Sequence, residues 1–356
     1  MRTYKIFVNP KDLRTLRQDP WNEDFVPGKL LDGKQTYEIK FGIRGHHTRT
    51  LRKKSYDVLF VKPLFEENVR EFHLNAEYRD PSLIRNKLSM DFFRFIGVWA
   101  PEAEHILLYI NGMLQGVYLQ LESFNNDSLK KRNLPEGPIF YAINDDANFS
   151  LLTAEGEPKP VLDEGYMQKS GAEEDRRHLL EFLAMINTSP EKQFNEQIET
   201  YLDTENYLRW LAGAVCTQNF DGFVHNYALY RNGETGKFEI SPWDYDGTWG
   251  RDLHGEEMEP DYIPVDGYNT LTARLLACPK YRRLYREILE QILSEIFTPE
   301  FLAPVVKNLL RRIEPYIEKD PYVKKNKKKF LNEYSYILSF VKERNAYLKS
   351  RLHLLM

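Results

Sequence analysis

Four side chains in one short stretch have the types and spacing that phosphate chemistry uses. Asn226 follows Asp221 by five positions. Two more carboxylates, Asp244 and Asp246, come shortly after. Carboxylate and amide oxygens are ligands that Mg²⁺ prefers, together with phosphate oxygens and water. Phosphoryl transfer needs a carboxylate to accept the proton of the attacking hydroxyl, and an Asn and an Asp to hold metal on the phosphates. The stretch therefore indicates chemistry on a magnesium-bound phosphate.

The elements around these residues would bring them together. Apolar periodicity predicts a helix over 204–218 with Asp203 as its N-cap. The run 219–222 then breaks that helix, so Asp221 is expected in a loop just past its end. Helices are also predicted over 173–187 and 190–200.

A strand hairpin should follow the loop. Strands are predicted over 226–231 and 237–241, because a Gly-containing turn separates two strand-like runs. With the turn centred near residue 234, Asn226 should lie opposite Pro242, and opposite residues are only about 5 Å apart. Asp244, two residues on, would then emerge beside Asn226.

These residues also have ordinary explanations. Asp and Asn commonly shape turns through hydrogen bonds to nearby backbone, and Asp-x-x-x-x-Asn alone is a weak signal. A loop carboxylate combined with a hairpin that ends in a second carboxylate is more specific. Asp244 and Asp246 would face the same side if the chain stays extended between them.

The sequence resembles the CotH kinase family over two blocks, Asn219-Phe220-Asp221-Gly222-Phe223-Val224-His225-Asn226-Tyr227-Ala228-Leu229-Tyr230 and Pro242-Trp243-Asp244-Tyr245-Asp246-Gly247-Thr248-Trp249-Gly250-Arg251-Asp252. Further similar segments are 44–46, 53–56, 73–78, 85–88 and 110–122. The resemblance covers nearly the whole chain. It implies an atypical protein serine/threonine kinase that uses ATP and Mg²⁺, with Ser-rich spore coat proteins as substrates. Its location would be the mother-cell cytoplasm during sporulation and then the spore coat.

The resemblance also implies roles for single residues. Asp221 corresponds to the catalytic-loop Asp, Asp244 to the metal-binding Asp, and Asn226 to a second metal ligand. The usual His-Arg-Asp and Asp-Phe-Gly triplets are absent, since the sequence has Asn219-Phe220-Asp221 and Asp244-Tyr245-Asp246. Whether Asp246 binds metal or supports a ligand stays open.

The predicted fold is α+β, in the two-lobed arrangement of an atypical protein kinase. Residues 1–140 form a sheet-rich, nucleotide-covering lobe with one helix, and 141–356 form a mainly helical lobe that carries the catalytic loop and metal site. The helix is expected over 80–96, with Asp80 as N-cap and Pro81 in the first turn. Strands of the first lobe are predicted over 37–44, 55–61, 105–110 and 115–122.

Candidate nucleotide contacts lie mostly in the first lobe. Lys54, Arg85 and Lys87 could reach phosphate oxygens. A protein kinase pairs a strand Lys with a helix Glu, but the helix over 80–96 has no Glu, so this pairing is absent or inverted. Glu122 is the candidate carboxylate partner, although a surface charge at a strand end explains it as well.

Adenine requires flat apolar contacts, which Tyr141 and Trp243 could supply by sandwiching the base. Packing in the core explains each ring equally well. Gly42 and Gly45 would let backbone N–H groups approach phosphates, or serve an ordinary turn. His225 is interpreted as structural.

Composition excludes several classes of protein. The net charge of −4 argues against a general nucleic-acid or membrane-surface binder. No run approaches the ~18 apolar residues of a membrane span, and no signal peptide is evident. The two cysteines, Cys216 and Cys278, favour a reduced compartment.

Two other functions fit part of the sequence. Asp244-Tyr245-Asp246 is also the Asp-x-Asp pattern of metal-dependent glycosyltransferases, although the predicted hairpins speak against their parallel α/β domain. A coat scaffold that kept the fold and lost phosphoryl transfer is the third hypothesis.

Overall fold

The computed structural model describes residues 1–63 and 69–356. Its secondary structure is mixed α+β, as the sequence predicts. The chain divides into two compact units, and each draws on separate stretches of sequence. The first comprises Met1–Leu88, Pro101–Ser123 and Val305–Ser335, and the second comprises Ser89–Ala100, Phe124–Pro304 and Tyr336–Met356. The two-lobed kinase arrangement with a boundary after residue 140 stays a prediction.

The first unit is built on a closed barrel of seven strands among the described residues. These strands are β1 (Arg2–Val8), β2 (Val26–Asp32), β3 (Gln35–Arg44), β4 (Ser55–Phe60), β5 (Glu71–Asn75), β6 (Ala103–Ile110) and β7 (Met113–Glu122). Their order is β1-β2-β3-β4-β5-β7-β6, and the parallel pairing of β1 with β6 closes the barrel. The four strands predicted for this region correspond to β3, β4, β6 and β7, and prediction missed β1, β2 and β5.

Alternating side chains fill the barrel. In β4, Tyr56, Val58 and Phe60 are buried while the residues between them are partly exposed. This period of two is what a strand with one buried face produces. The rings of Phe41 and Tyr56 stack inside the barrel with centroids 4.5 Å apart.

A buried ion pair ties the later stretch of the first unit to the barrel. The side chains of Lys53 and Asp320 are both 0% exposed, with 3.7 Å between Nζ and Oδ2. Asp320 also accepts backbone N–H groups from Val117, Tyr322 and Val323 at 2.8–3.1 Å. Burial lowers the pKa of Lys53, and the neighbouring carboxylate of Asp320 opposes that shift.

The second unit contains a four-stranded sheet in the order β11-β10-β8-β9. Its strands are β8 (Ile139–Ala142), β9 (Tyr166–Ser170), β10 (Tyr227–Arg231) and β11 (Phe238–Pro242), and all pairs are antiparallel. The predicted hairpin is confirmed as β10 and β11. Its pairing with β8 and the presence of β9 were not predicted.

The described residues also form ten α-helices. They are α1 (Pro10–Gln18), α2 (Arg85–Phe95), α3 (Asn126–Lys131), α4 (Arg176–Thr188), α5 (Glu191–Tyr201), α6 (Thr204–Thr217), α7 (Thr270–Ala277), α8 (Pro279–Glu295), α9 (Pro299–Ile317) and α10 (Lys327–Arg351). The predicted helices over 173–187, 190–200 and 204–218 match α4, α5 and α6 closely. Within the residues that the structure describes, none of the helices has both the length and the apolar character needed to cross a bilayer.

The start of α2 differs from prediction. The helix begins at Arg85, so Pro81 does not lie in its first turn. Leu83 has a φ of +59°, and this left-handed conformation cannot be part of a right-handed helix. The carboxylate of Asp80 accepts the N–H groups of Ser82 and Arg85 at 2.8 and 2.9 Å. Asp80 therefore organises the turn before the helix.

Candidate active site

Asp221 lies in a short loop directly after α6. Asp203 caps the start of α6 by accepting the N–H of Asn206 at 3.0 Å, as predicted. At the other end, Gln218 adopts a left-handed conformation, with φ +57°, that ends the helix. A 3₁₀ turn over Asp221–Phe223 follows. The predicted loop past a helix end is confirmed.

The hairpin that leads from Asn226 to Asp244 is present, but its pairing register differs from the prediction by one residue. Pro242 pairs with Tyr227, and the N–H of Trp243 donates to the carbonyl of Asn226 at 2.9 Å. The last pair of the hairpin is residues 231 and 238, so the turn is centred half a residue later than expected. The Asn232 side chain sets this turn by accepting the N–H groups of Glu234 and Thr235. Trp243 therefore faces Asn226, and Asp244 is the next residue.

The backbone is strained at both of these residues. Asn226 has a φ of +58° and Asp244 a φ of +53°. A left-handed conformation costs about 1–2 kcal/mol for most L-residues, although Asn and Asp tolerate it better than others. Such conformations persist where the surrounding structure enforces them, often at functional sites. The extended path that would let Asp244 and Asp246 face the same side is not present, because the left-handed conformation of Asp244 interrupts it.

Asp246 makes hydrogen bonds to the residues that follow it. Its Oδ1 accepts the N–H of Gly247 at 2.8 Å, and its carbonyl accepts the N–H of Thr248 at 3.1 Å. Among the described residues, no three carboxylate, histidine or cysteine side chains gather as a metal site. A cage made by the protein alone from Asp221, Asp244 and Asp246 is therefore not present. A metal role for Asn226 and Asp244, with phosphate oxygens and water completing the coordination of Mg²⁺, stays a prediction.

Buried aromatic residues hold the segment that carries Asp244. Tyr245 and Trp249 are both 0% exposed. The indole Nε1–H of Trp249 donates to Ser89 Oγ at 2.9 Å, and its backbone N–H donates to the carbonyl of Thr217 at 2.9 Å. Thr217 is the last residue of α6, so the segment with Asp244 is bonded to the helix that presents Asp221.

His225 lies between two carboxylates, which sequence reasoning missed. Its Nδ1 is 2.6 Å from Asp145 Oδ1, and its Nε2 is 3.8 Å from Asp221 Oδ2. The hydroxyl of Tyr268 donates to the carbonyl of Phe220 at 2.6 Å. Burial raises the pKa of Tyr268, and the charges of Asp221 and then of Asp145 add to that rise. The i, i+4 spacing of Asp221 and His225 within a turn was the available signal, but nothing local in the sequence indicated Asp145.

Tyr141 and Trp243 pack directly against each other. Their ring centroids are 4.7 Å apart at 34°, and both residues are buried. An adenine cannot lie between rings at this distance, so a sandwich would require them to separate. The Tyr141 hydroxyl accepts the N–H of Phe124 and donates to its carbonyl, both at 2.9 Å.

Arg85 is fully buried between two carboxylates of the first unit. Its guanidinium nitrogens lie 2.5 Å from Asp80 and 2.7 Å from Glu333, and all three side chains are at most 1% exposed. Burial alone would lower the pKa of Arg85, but Asp80 and Glu333 outweigh it and raise the pKa. The two carboxylate partners of Arg85 lie in the turn before α2 and in α10, and neither is on a strand, so whether the kinase pairing is absent or inverted stays open.

The other predicted phosphate contacts have separate surroundings in the first unit. Lys54 Nζ donates to the carbonyl of Arg49, and burial followed by the nearby charge of Arg17 lowers the pKa of Lys54. Lys87 is partly buried and lines a cavity with Arg2, Glu104, His105 and Arg312. Glu122 Oε2 accepts the N–H of Glu102 at 2.9 Å. The roles of Lys54, Lys87 and Glu122 toward a nucleotide stay predictions.

Comparison with known proteins identifies the family. The profile described as "CotH kinase protein" matches residues 41–348. The chain is 48% identical to inner spore coat protein H of Bacillus subtilis, over 99% of this chain and 98% of the relative. The chain belongs to the CotH kinase family. A second B. subtilis relative, an inner spore coat protein H-like protein, is 31% identical over 84% of this chain and 86% of its own length.

One solved structure is a distant match to this CotH-family chain. The HipA–HipB toxin–antitoxin complex with operator DNA from Shewanella oneidensis covers 99% of this chain and 74% of the solved chain. The TM-score is 0.44 and the sequence identity 12%. Family membership therefore rests on sequence.

Proposed function

We propose that this chain is an ATP- and Mg²⁺-dependent protein serine/threonine kinase that phosphorylates Ser-rich spore coat proteins and is needed for coat assembly. Membership of the CotH kinase family supports a kinase, and the name of the B. subtilis relative supports a role in the spore coat. The mother-cell cytoplasm and then the coat are the proposed locations. The observation that carries the proposal is the hydrogen bond from the N–H of Trp243 to the carbonyl of Asn226, because Asp244 is the residue after Trp243. Asn226 itself follows Asp221 by five positions.

In the proposed reaction, Asp221 orients a substrate Ser or Thr hydroxyl and accepts its proton. Asn226 and Asp244 would hold Mg²⁺, which neutralises charge on the phosphates when it is bound. The left-handed backbone at both residues supports this role, because strain of this kind is commonly kept where a side chain must point in one direction. Asp246 Oδ1 accepts the N–H of Gly247, and whether Asp246 also binds metal or supports a ligand stays open in this proposal.

Nucleotide contacts follow from the surroundings of each candidate. Lys54 and Lys87 are proposed to contact phosphates ahead of Arg85, because Arg85 already neutralises Asp80 and Glu333. Tyr141 and Trp243 are proposed to contact adenine. The base would lie between the two rings once they separate, or against a ring face that points away from the other ring. In this proposal residues 1–140 form the lobe that covers the nucleotide.

The proposal is tested by phosphate transfer from labelled ATP to a Ser-rich coat protein in the presence of Mg²⁺. We expect Asp221→Ala to lower transfer by about 10²–10⁴-fold, the usual effect of losing general base catalysis. Asp24→Ala, at an exposed carboxylate of the first unit, is the matched control and should leave transfer unchanged. Equal transfer by wild type and Asp221→Ala would show that the assignment is wrong.

The two alternative functions make different predictions. Metal-dependent glycosyltransferases usually have a parallel α/β nucleotide domain before the Asp-x-Asp motif, whereas the described strands pair antiparallel except for β1 with β6. Stabilisation by UDP-sugars and not by ATP would favour it nevertheless. A scaffold without activity would be favoured if Asp244→Ala supported coat assembly.

A further inference from the structure

The ring of His225 connects the loop carboxylate to a second carboxylate from a different element. Nδ1 lies 2.6 Å from Asp145 Oδ1, a close charge contact without hydrogen-bond alignment, and Nε2 lies 3.8 Å from Asp221 Oδ2. The side chains of His225 and Asp221 are 19% and 13% exposed, while that of Asp145 is 61% exposed. The order is therefore an accessible carboxylate, a largely buried imidazole and a largely buried carboxylate.

His225 is held in place by its own backbone. Its N–H donates to the carbonyl of Asp221 at 2.9 Å, which closes the turn that contains both residues. The next residue, Asn226, donates its N–H to the carbonyl of Ala142 in β8. The backbone that carries the imidazole is therefore fixed beside Asp221.

The loop that carries Asp145 is also fixed. Asn144 Oδ1 accepts the N–H of Asp146 at 3.0 Å, and the carbonyl of Asn144 accepts the N–H of Ala147 at 3.0 Å. Gly165 packs so closely that an added Cβ would lie 2.4 Å from the nitrogen of Ala147. Contact between Asp145 and His225 thus joins two well-defined pieces of backbone.

Arrangements of this kind orient a reactive group. A side chain that exchanges a proton is often fixed by a second group, which a third group holds in turn. The 3.8 Å distance from Nε2 to Asp221 exceeds hydrogen-bond length, and such contacts commonly shorten when substrate binds. One oxygen of Asp221 would then be held by the ring while the other meets the substrate hydroxyl.

We propose that His225 and Asp145 are positioning residues for Asp221, with Asp145 fixing the imidazole and the imidazole fixing the carboxylate. The inference rests on the proposed function, in which Asp221 accepts the hydroxyl proton. In this role the ring transfers no proton and does not touch ATP.

Two substitutions of His225 separate the contacts of its two nitrogens. The amide nitrogen of Gln falls near the position of Nε2, and that of Asn falls near the position of Nδ1. We expect His225→Gln to keep more of kcat than His225→Asn, because it retains a donor toward Asp221. His225→Ala and Asp145→Ala should lower kcat by about 10–100-fold, since misplacing a reacting group by 1 Å can cost 10²-fold. KM for ATP should stay within about twofold, and Asp145→Asn should restore part of the loss relative to Asp145→Ala.

A spectroscopic readout is independent of turnover. In ¹⁵N spectra of the imidazole, Asp145→Asn should shift Nδ1 of His225 and Asp221→Asn should shift Nε2. Unchanged ring signals would overturn the positioning role. An equal loss of kcat in His225→Gln and His225→Asn, together with a raised KM for ATP, would overturn it as well. Normal transfer by Asp221→Ala would instead overturn the proposed function, so the two failures can be told apart.

Discussion

Two regions of the molecule hold their charged side chains in different surroundings. In the first unit, Lys53 is buried with Asp320, and Arg85 is buried with Asp80 and Glu333, all at most 1% exposed. Buried charges are tolerated only when paired and hydrogen-bonded, so these groups hold structure together. In the loop after α6 and the hairpin that follows, carboxylates stay partly accessible and the backbone is strained.

We interpret this difference as one between charges that stabilise the fold and charges with proposed roles in transfer. The side chains of a fully buried ion pair are not accessible to a substrate. Asp221, Asn226 and Asp244 instead combine partial exposure with a geometry enforced by the surrounding helix and hairpin. Substituting the buried ion pairs of the first unit should therefore affect mainly stability, whereas substitutions in the loop and hairpin should affect mainly transfer.

The largest effect on stability is expected from Arg85→Met. Removing the cation leaves Asp80 and Glu333 buried without it, and breaking a buried ion pair in this way costs about 3–5 kcal/mol. Urea unfolding followed by circular dichroism measures the loss. Lys29→Met is the control, because Lys29 pairs with Glu38 at the surface and such pairs contribute at most about 1 kcal/mol. A loss below about 1 kcal/mol for Arg85→Met would contradict the contrast between the two regions.

A smaller loss of about 2 kcal/mol is expected from Lys53→Met. Asp320 would keep three backbone N–H donors after the ammonium is removed, which compensates part of the lost charge. The same urea measurement, with Lys29→Met again as control, places this variant between Arg85→Met and the surface pair. If Lys53→Met proved as costly as Arg85→Met, the backbone donors would not stabilise Asp320 as we infer.

Local signals in the sequence predicted the local structure of the site well. The helix cap at Asp203, the helix over 204–218 and the hairpin all depend on short-range patterns, and the structure confirms them. The register was wrong by one residue because the hydrogen bonds of the Asn232 side chain decide where the turn is centred. The roles of Asp221, Asn226 and Asp244 stay predictions.

Partners that are distant in sequence could not be predicted. Glu333 lies far along the chain from Arg85, and Asp320 far from Lys53, so no local pattern connects them. The parallel pairing that closes the barrel is also long-range, since β1 and β6 are separated by most of the first unit's sequence. Asp145 and His225 meet for the same reason, because β8 and β10 are neighbours in the second sheet.

The smallest effect, about 1 kcal/mol, tests the strained backbone and the metal role of Asn226 together. Asn226→Ala and Asn226→Gly both remove the side-chain amide, so both should lose phosphate transfer to a similar extent. They should differ in stability, because at φ +58° Ala pays a steric penalty that Gly avoids, and Gly should be more stable by about 1 kcal/mol. Comparing urea unfolding with transfer from labelled ATP for the two variants checks both points. Equal stability would contradict the left-handed conformation, whereas retained transfer would contradict the ligand role, so the pair separates the geometry of the hairpin from its chemistry.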